Sequence, residues 1–424
     1  MSRITQLYAH MVFDSRGQPT VYCNLTLDNQ FMGDAMVPSG ASTGQFEAIE
    51  RRDGDERHFL GRGVNQVIET INDVIKPVVL NQSFITQAAF DAWIQNFDGT
   101  SNYGHIGANA ALALSMAFAN ADARANQKPL YEHICQSTPK HMPIPMFNVI
   151  NGGAHANNGL AIQEFMLVPY GCTSFDMAME AGVEIYQRLK TTLKQHGHSI
   201  AVGDEGGFAP DFQSAYEALD VLAEVVEKSQ FSLGKDIAFA LDIAASEFYH
   251  KGSYHYEGQV LQGEALAATW LDMQTHFPII SFEDPFADDD YASWRHFNTL
   301  AGDQAMIIGD DLLVTQVDKL NQGIESGWMN AILIKPNQVG TVTQTLATIE
   351  AARRKGMMYV ISHRSGETED TFIADLALAT EAPLIKTGAP CRSERLAKYN
   401  RLLQVNHHLH LPLCPLNITV DDNA

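Results

Sequence analysis

The first regular pattern along the chain is an alternation of apolar and polar residues at positions 20–27 (TVYCNLTL). A period of two is typical of a β-strand with one buried face. Turn-forming residues flank this strand at positions 14–19 (DSRGQP) and 28–30 (DNQ). The pattern predicts a three-stranded antiparallel meander.

Helical sequence dominates the rest of the first 135 residues. Ser42 and Gln45 have the spacing of a capping box, so we expect a short helix directly after them. The apolar residues then follow the helical period from about residue 64 to about residue 134. We therefore predict a small α+β domain over residues 1–135.

From residue 143 the pattern changes to a repeated unit, in which a short β-rich run ends in a polar residue and helical sequence follows. Eight such runs occur, and eight is the number of strands that a (β/α)8 barrel needs. They are residues 144–150, 162–168, 237–244, 278–285, 306–311, 331–336, 358–363 and 383–388.

The first connection of this barrel is unusual. Only about a dozen residues (151–161) separate the first two runs, and a parallel crossover needs more, so we expect the second strand to be antiparallel to the first. Two helices, at about 176–197 and 212–229, precede the third strand, and the glycines of 199–211 favour a loop between them. The prediction for residues 136–424 is an irregular TIM-like barrel of order ββαα(βα)6.

Composition limits the function classes. The chain has 424 residues and a formal net charge of −22, so its field repels nucleic acid and anionic membranes. Five scattered cysteines without a C-x-x-C pair favour neither a disulfide framework nor a zinc knuckle. The apolar run 110–119 is too short to span a bilayer, and the first ten residues do not resemble a signal peptide. We expect a cytoplasmic protein with no nucleic-acid partner and no membrane span.

Three consecutive predicted strands end in an acid: Asp242, Glu283 and Asp310. Active sites of such barrels lie at the carboxyl ends of the strands, where these side chains would converge. Three carboxylates around one cavity would repel each other unless a hard cation lies among them, and Mg²⁺ suits such oxygen ligands. For each acid taken alone, capping of the following helix is an equal alternative. Three consecutive ends favour the metal.

The next strand ends supply basic groups. Lys335, beside a cationic centre, is expected to have a lowered pKa and to act as a base, with a barrel salt bridge as its alternative. Lys386 adds a second ammonium, and Arg364 with Ser365 is typical of a phosphate clamp. Neighbouring His363, taken alone, is more often structural than catalytic.

This set of residues suits the removal of a proton from a carbon next to a carboxylate, since a metal stabilises the enolate that forms. Loss of a β-hydroxyl then needs a general acid. Asp204 and Glu205 on the glycine-rich loop 203–207, and Glu164 on the second strand, are the candidates.

Over roughly residues 5–403 the chain closely resembles the enolase family. The resemblance rests on blocks that occur in a fixed order, each of which is weak alone. They are DSRGQPTV (14–21), VPSGASTG (37–44), NVINGGAHANN (148–158), QEFM (163–166), VGDEGGFAP (202–210), EDP (283–285), GDD (309–311), ILIKPNQVGT (332–341), ISHRSGETEDT (361–371) and IKTG (385–388).

The resemblance implies a Mg²⁺-dependent lyase of glycolysis and gluconeogenesis that reversibly dehydrates 2-phosphoglycerate to phosphoenolpyruvate. Lys335 would take the C2 proton, and Glu205, supported by Glu164, would protonate the departing C3 hydroxyl. A Lys or His base used with one or two Mg²⁺ is a known property of the enolase superfamily, not something worked out from these residues.

The resemblance also implies the binding residues. The first Mg²⁺ would be held by Asp242, Glu283 and Asp310. A second Mg²⁺ would be bound with the help of Ser39, which lies on a loop. The substrate contacts would come from His155, Glu164, Lys335, His363, Arg364, Ser365 and Lys386. His155 and Ser39 would lie on loops that close over the substrate, with nearby glycines as hinges.

The departures from the family pattern are peripheral. Tyr22 and Gln404 stand where the family commonly has a Glu and an Arg that pair across a dimer interface. We expect a homodimer, or a higher even oligomer, sealed by aromatic contact at Tyr22. The tail after residue 403 matches no family pattern, and we expect it to be disordered.

Two alternatives to this function stay open. The first is another acid dehydratase of the enolase superfamily, although the phosphate clamp at residues 363–365 argues for a phosphorylated substrate. The second is a surface or scaffold binding role, which some enolases have beside catalysis and which would imply a secondary cell-surface or secreted pool. The C-terminal lysine often used for surface binding is missing, because the chain ends in Asp-Asp-Asn-Ala.

Overall fold

A computed structural model of the chain describes residues 2–40, 46–135 and 138–416. The predicted capping box of Ser42 and Gln45 lies outside these residues. Directly after it, residues 46–58 contain no helix, and the first helical turn is Phe59–Gly61. The short helix expected at this point is therefore absent from the described part of the segment.

The N-terminal part contains the predicted antiparallel meander, extended by one short strand. The sheet has the order β3-β2-β1-β4, where the strands are β1 Ser2–Phe13, β2 Pro19–Leu27, β3 Phe31–Met36 and β4 Ser83–Phe84. Two residues are too few to show a hydrophobic period, so β4 had no signal in the sequence.

Helices cover one face of this sheet. They are α1 Asn65–Glu69, α2 Lys76–Val79, α3 Gln87–Asp98, α4 Ala108–Ala125 and α5 Leu130–Cys135, and a π-helical turn, Thr70–Ile75, joins the first two. The alanine-rich α4 packs directly on β3, where a side chain at Gly33 would come within 2.9 Å of Ala121 Cα. Glycine is therefore required at this contact.

The second half of the chain is a closed barrel with a small sheet inserted in it. In chain order its strands are β5 Ile144–Asn151, β6 Glu164–Val168, β7 Ala238–Asp242, β8 Tyr249–His250, β9 Ser253–Tyr256, β10 Gln259–Leu261, β11 Ile279–Glu283, β12 Met306–Gly309, β13 Ala331–Ile334, β14 Met358–Ser362 and β15 Leu384–Lys386. Strands β8, β9 and β10 form the inserted sheet, which the sequence did not predict, and the other eight close the barrel.

The predicted irregularity of the barrel is confirmed. Strand β6 is antiparallel to both β5 and β7, whereas the remaining neighbours in the barrel are parallel. The segment 199–211 forms a loop with isolated bridges, such as that between Val202 and Phe208. The order ββαα(βα)6 therefore holds.

The helices of the barrel are α6 Phe175–Gln195, α7 Ala215–Glu227, α8 Gly263–His276, α9 Tyr291–Ala301, α10 Val317–Ser326, α11 Val342–Arg354, α12 Phe372–Ala379 and α13 Ser393–Leu409. Side-chain oxygens fix where several of them begin. Ser174, Ser214 and Thr341 each accept a hydrogen bond from the backbone amide three residues later, at the start of α6, α7 and α11.

The prediction of a disordered tail over residues 405–424 is wrong for residues 405–416, and residues 417–424 lie outside the described part of the chain. Helix α13 continues to Leu409, and the chain then returns to the barrel. Met142 N donates to Pro412 O, and Cys414 N donates to Met142 O; both donor–acceptor distances are 2.8 Å. The side chain of Leu413 is buried in this contact, so burial and backbone pairing order the segment.

Candidate active site

The carboxyl ends of the barrel strands surround one buried cavity. It is lined by most of the predicted site residues, namely His155, Glu164, Glu205, Asp242, Asp310, Lys335, His363, Arg364, Ser365 and Lys386. Glu283 contacts this group from the end of β11, whereas Ser39 is not part of the lining. The structure thus brings every predicted site residue together except Ser39, and the roles assigned to them stay predictions.

Glu164 reaches the cavity because β6 runs against its neighbours. It is the first residue of β6, whereas Asp242 and Glu283 are the last residues of β7 and β11. The amino end of an antiparallel strand lies beside the carboxyl ends of its neighbours, and Glu164 is the register partner of Asp242. The antiparallel direction of β6 therefore adds the carboxylate of Glu164 to the cavity.

The Lys386 ammonium lies among the buried carboxylates. Its Nζ is 2.8 Å from Asp242 Oδ2, 2.9 and 2.8 Å from the two carboxylate oxygens of Glu283, and 3.3 Å from Glu164 Oε2. Burial lowers the pKa of Lys386, but these carboxylates outweigh burial and raise that pKa well above its ordinary value. The ammonium therefore stays charged in this position.

One ammonium does not compensate all of these acids. Burial would raise the pKa of Asp242, but Lys386 outweighs burial and lowers it. Burial raises the pKa of Glu283 well above its ordinary value, and repulsion from Asp242 adds to the effect. More positive charge would favour the ionised form of both acids, and a divalent cation would supply it when bound.

Lys335 and Asp310 form a second buried pair, in which Nζ donates to Asp310 Oδ2. The other oxygen of Asp310 accepts from Gln338 Nε2 at 3.1 Å. Burial lowers the pKa of Lys335, but Asp310 outweighs burial and the net pKa is raised. This direction is opposite to the predicted one, because the charge nearest to Lys335 in this structure is a carboxylate and not a cation.

Asp284 joins Asp310 in a tight acidic group that also contains Asp311. Ligand oxygens of these three residues all lie within 4.8 Å of one another. The two carboxylate oxygens of Asp284 accept hydrogen bonds of 2.9 Å from the backbone amides of Asp310 and Asp311. Asp284 thus connects the end of β11 to the end of β12.

The donor set fits a hard divalent cation. Asp242, Glu283 and Asp310 each offer a buried carboxylate, and each is paired with a lysine ammonium. Among the described residues these three do not form a group with all ligand atoms within 4.8 Å of one another, and in this structure the ammonium groups of Lys335 and Lys386 pair with them. The acidic clusters are compatible with a divalent metal, and its identity as Mg²⁺ stays a prediction.

The guanidinium of Arg364 is held by Glu47. Nη1 is 3.1 Å from Glu47 Oε2, Nη2 is 3.3 Å from Glu47 Oε1, and Nη1 also donates to Asn337 Oδ1 at 3.2 Å. This geometry is bidentate, which is also how a guanidinium binds phosphate. The guanidinium N–H groups of Arg364, which we predicted to bind an anionic ligand, therefore bind Glu47 in this structure.

Glu164 and Glu205 both approach the same ring nitrogen of His155. His155 Nδ1 is 3.5 Å from Glu164 Oε1 and 3.8 Å from Glu205 Oε1. Burial raises the pKa of Glu164 well above its ordinary value, with repulsion from Glu205 as the next cause. Burial would also raise the pKa of Glu205, but His363 and His155 outweigh burial and lower it well below. The two carboxyls are coupled, so a proton is bound by the pair rather than by either residue alone.

His363 contacts Glu205 from the opposite side. Its Nε2 lies 3.1 Å from Glu205 Oε2, which also accepts from Asn148 Nδ2 at 3.0 Å. Burial lowers the pKa of His363 to about 4, so the imidazole is neutral near pH 7.

Ser39 lies in a tight contact outside the cavity lining. Its hydroxyl donates to Asp14 Oδ2 at 2.8 Å and accepts from Arg16 Nη2 at 3.1 Å. Its backbone pairs with Gly366, where a side chain would come within 2.7 Å of Ser39 O. The role of Ser39 as a ligand of a second metal stays a prediction, and in this structure its hydroxyl is paired within the protein.

Sequence reasoning missed Glu47, Asp284, Asp311 and Asn148. Asp284 and Asp311 follow predicted ligands directly, in EDP (283–285) and GDD (309–311), so doubled acids at strand ends were an available signal. Glu47 had no local signal, because its partner Arg364 is far away along the chain.

Two further observations concern the chain as a whole. Among the helices of residues 2–40, 46–135 and 138–416, none has the length and apolar character that crossing a bilayer requires. Two family models match the sequence. One, described as enolase, N-terminal domain, matches residues 4–134, and the other, described as enolase, C-terminal TIM barrel domain, matches residues 139–411.

Proposed function

The chain belongs to the enolase family, and we propose that it is a Mg²⁺-dependent lyase that reversibly dehydrates 2-phosphoglycerate to phosphoenolpyruvate. The observation that carries this proposal is the arrangement around one cavity of Lys335, the Glu164–Glu205 pair and Arg364. These groups correspond to a base, an acid and an anion clamp, which together suit the dehydration of a phosphorylated hydroxy acid.

Lys335 is the proposed base for the C2 proton. A base must be neutral, whereas the pairing with Asp310 favours the ammonium. Lys335 therefore has to leave Asp310 and lose a proton before it acts. Mg²⁺ held by Asp242, Glu283 and Asp310 would, when bound, supply positive charge to the substrate carboxylate as the C2 proton leaves.

The proposed acid for the C3 hydroxyl is Glu205, supported by Glu164. The two carboxyls interact strongly, so the proton belongs to the pair rather than to one residue. Nδ1 of His155 lies beside both carboxyls and can contact only one of them closely at a time. Protonation of the leaving hydroxyl by this pair releases water.

Substrate binding is proposed to use Arg364 and Ser365 for the phosphate and Lys386 for the carboxylate end, with His363 in the pocket wall. A phosphate would compete with Glu47 for the guanidinium of Arg364. We further propose that the loops of His155 and Ser39 close over the substrate and that Ser39 helps to bind a second Mg²⁺.

The direct test is the ultraviolet absorbance of phosphoenolpyruvate formed from 2-phosphoglycerate, with and without EDTA. We expect a signal that EDTA abolishes and Mg²⁺ restores, and a kcat lowered by about 10²- to 10⁴-fold in Lys335→Ala. Lys194→Ala, at an exposed lysine of α6, is the matched control and should keep full activity. If no metal-dependent product forms, the proposed function fails, and if Lys335→Ala keeps full activity, the assignment of the base fails.

The alternative is a superfamily dehydratase that acts on an acid without phosphate. Supplying glycerate in place of 2-phosphoglycerate separates the two, because only the alternative predicts faster turnover of the unphosphorylated acid. We also propose that the protein acts in the cytoplasm, in glycolysis and gluconeogenesis. It would form a homodimer or a higher even oligomer. A secondary pool at the cell surface would have a binding role beside catalysis.

A further inference from the structure

Arg395, near the start of α13, is a fully buried cation beneath the cavity. Its guanidinium connects three separate stretches of the chain. It donates to Arg364 O at 2.6 Å, Ser365 O at 2.6 Å, Asp204 O at 3.1 Å, Ser15 Oγ at 3.3 Å and His363 Nδ1 at 2.7 Å. Three of these partners are backbone carbonyls, and the other two are the hydroxyl of Ser15 and the ring nitrogen of His363.

The contact with His363 determines which ring nitrogen carries the proton. A guanidinium has N–H donors and no acceptor, so Nδ1 of His363 must accept and cannot itself be protonated. The proton of a neutral imidazole is then on Nε2. Burial, aided by the charge of Arg395 and opposed by Glu205, lowers the pKa of His363 to about 4, so the neutral form is the relevant one at pH 7.

The Nε2 proton faces Glu205. Nε2 is 3.1 Å from Glu205 Oε2, although the pair falls short of hydrogen-bond alignment, and apo sites often align only when the ligand binds. Asn148 Nδ2 donates to the same oxygen at 3.0 Å. The other oxygen of Glu205, Oε1, is directed to His155 at 3.8 Å. Oε2 therefore accepts from Asn148 and has the Nε2–H of His363 beside it, and Oε1 is the oxygen that remains for a proton.

We propose that Arg395 is a positioning residue that fixes His363 as the Nε2–H tautomer and thereby holds Glu205 by Oε2, with Oε1 available to carry the proton. The inference rests on the proposed function, in which Glu205 delivers a proton to the leaving hydroxyl. Arg395 is not itself in the cavity lining, so it acts through His363 and Glu205.

The first experiment needs no variant of Arg395 and no activity. Selective ¹⁵N-histidine labelling with a long-range ¹H–¹⁵N correlation spectrum at pH 7 reports the protonated nitrogen of each ring, and the His363→Gln spectrum identifies the His363 signals. We expect His363 to have its proton on Nε2 alone. A ring protonated on Nδ1, or on both nitrogens, overturns the proposal. Because this readout does not depend on turnover, its failure is distinguishable from failure of the proposed function.

The second experiment removes the guanidinium of Arg395, which is proposed to fix the tautomer of His363. In Arg395→Met we expect both tautomers of His363 and a kcat lowered by about 10- to 100-fold, with KM changed much less. Arg395→Lys keeps a donor and a charge and should restore the Nε2–H tautomer and part of kcat. The matched control is Arg401→Gln on the same helix, which breaks a bidentate pair with Asp375 and should leave the tautomer unchanged.

The outcomes of the second experiment are separable. An Arg395→Met protein that folds and has an unchanged tautomer and an unchanged kcat overturns the proposal. A lowered kcat with an unchanged tautomer of His363 also overturns the proposal, because Arg395 then affects catalysis only through the backbone carbonyls that it binds. If circular dichroism shows that Arg395→Met does not fold, the spectra of the wild-type protein and of Arg395→Lys decide.

Discussion

The carboxylate of Glu47 holds both terminal nitrogens of the Arg364 guanidinium, at 3.1 and 3.3 Å. Both side chains are nearly fully buried, at 6% and 5% exposure. A segment of the N-terminal domain thus occupies the anion-binding donors of the barrel. Any anionic ligand of Arg364 has to displace this carboxylate or share the guanidinium with it.

The substitution Glu47→Gln is therefore expected to have two opposite effects. It leaves a buried guanidinium without its carboxylate, so the free energy of unfolding should fall by about 3 kcal/mol. The same change removes a competitor, so inorganic phosphate should bind more tightly in calorimetry. Glu184→Gln, which breaks a pair with Arg188 on the surface of α6, is the control and should cost less than about 1 kcal/mol. Weaker phosphate binding by Glu47→Gln would contradict the competition.

Lys386→Met is expected to destabilise the metal-free protein and to make it more dependent on Mg²⁺. Without the ammonium, Asp242, Glu283 and Glu164 lose their buried counter-charge, which should cost about 3–5 kcal/mol. A cation bound among these acids restores the charge balance and stabilises the folded state by mass action. Urea unfolding with and without Mg²⁺ measures both effects.

The control for this variant is Lys398→Met, which removes another buried ammonium, paired with Glu367 away from the predicted metal ligands. Its loss of stability should not be recovered by Mg²⁺. Equal recovery in the two variants would contradict the idea that Lys386 and the metal neutralise the same carboxylates.

Asp370 predicts a pH dependence of stability. Burial raises its pKa to about 6 from an ordinary value of 3.8, and its carboxylate accepts from the amides of Met36 and Phe372. A raised carboxyl pKa means that the folded protein binds the proton more tightly than the unfolded chain. The stabilisation is therefore present below pH 3.8 and is lost as the pH rises through 6.

The measurement is the difference in free energy of unfolding between the wild-type protein and Asp370→Asn, from pH 4 to pH 7.5. We expect the wild-type protein to lose up to about 3 kcal/mol relative to the variant over this range. The side chain is partly exposed, so solvent screening reduces this figure. A difference that stays constant, or that grows with pH, would contradict the assignment.

Tyr22 predicts how copies of the chain associate. It stacks on His10, with ring centroids 4.5 Å apart, and lies 6.3 Å from Tyr8, whose side chain is 42% exposed. We expect an even oligomer in light scattering at micromolar concentration and weaker association in Tyr22→Ser. Tyr291→Ser changes an exposed ring stacked on Trp328 and should have no effect. A monomeric mass for the wild-type protein would refute the interface.

The barrel was predictable because its signals are local. The short segment 151–161 was enough to predict that β6 is antiparallel, and polar residues at the strand ends located the cavity. The contacts of Glu47 and Arg395 were not predictable, because their partners lie on distant elements that only the folded chain brings near. The inserted sheet and β4 were missed because strands of two to four residues show no reliable period.

The position of Glu164 in the cavity depends on the register of the antiparallel strand β6. Successive side chains of a strand point to opposite faces, so a slip of one residue would turn Glu164 away from Lys386. The neighbouring Phe165, now fully buried on the other face, would then be presented to the charged cavity. An insertion within β6 would therefore disrupt the cavity as well as the strand.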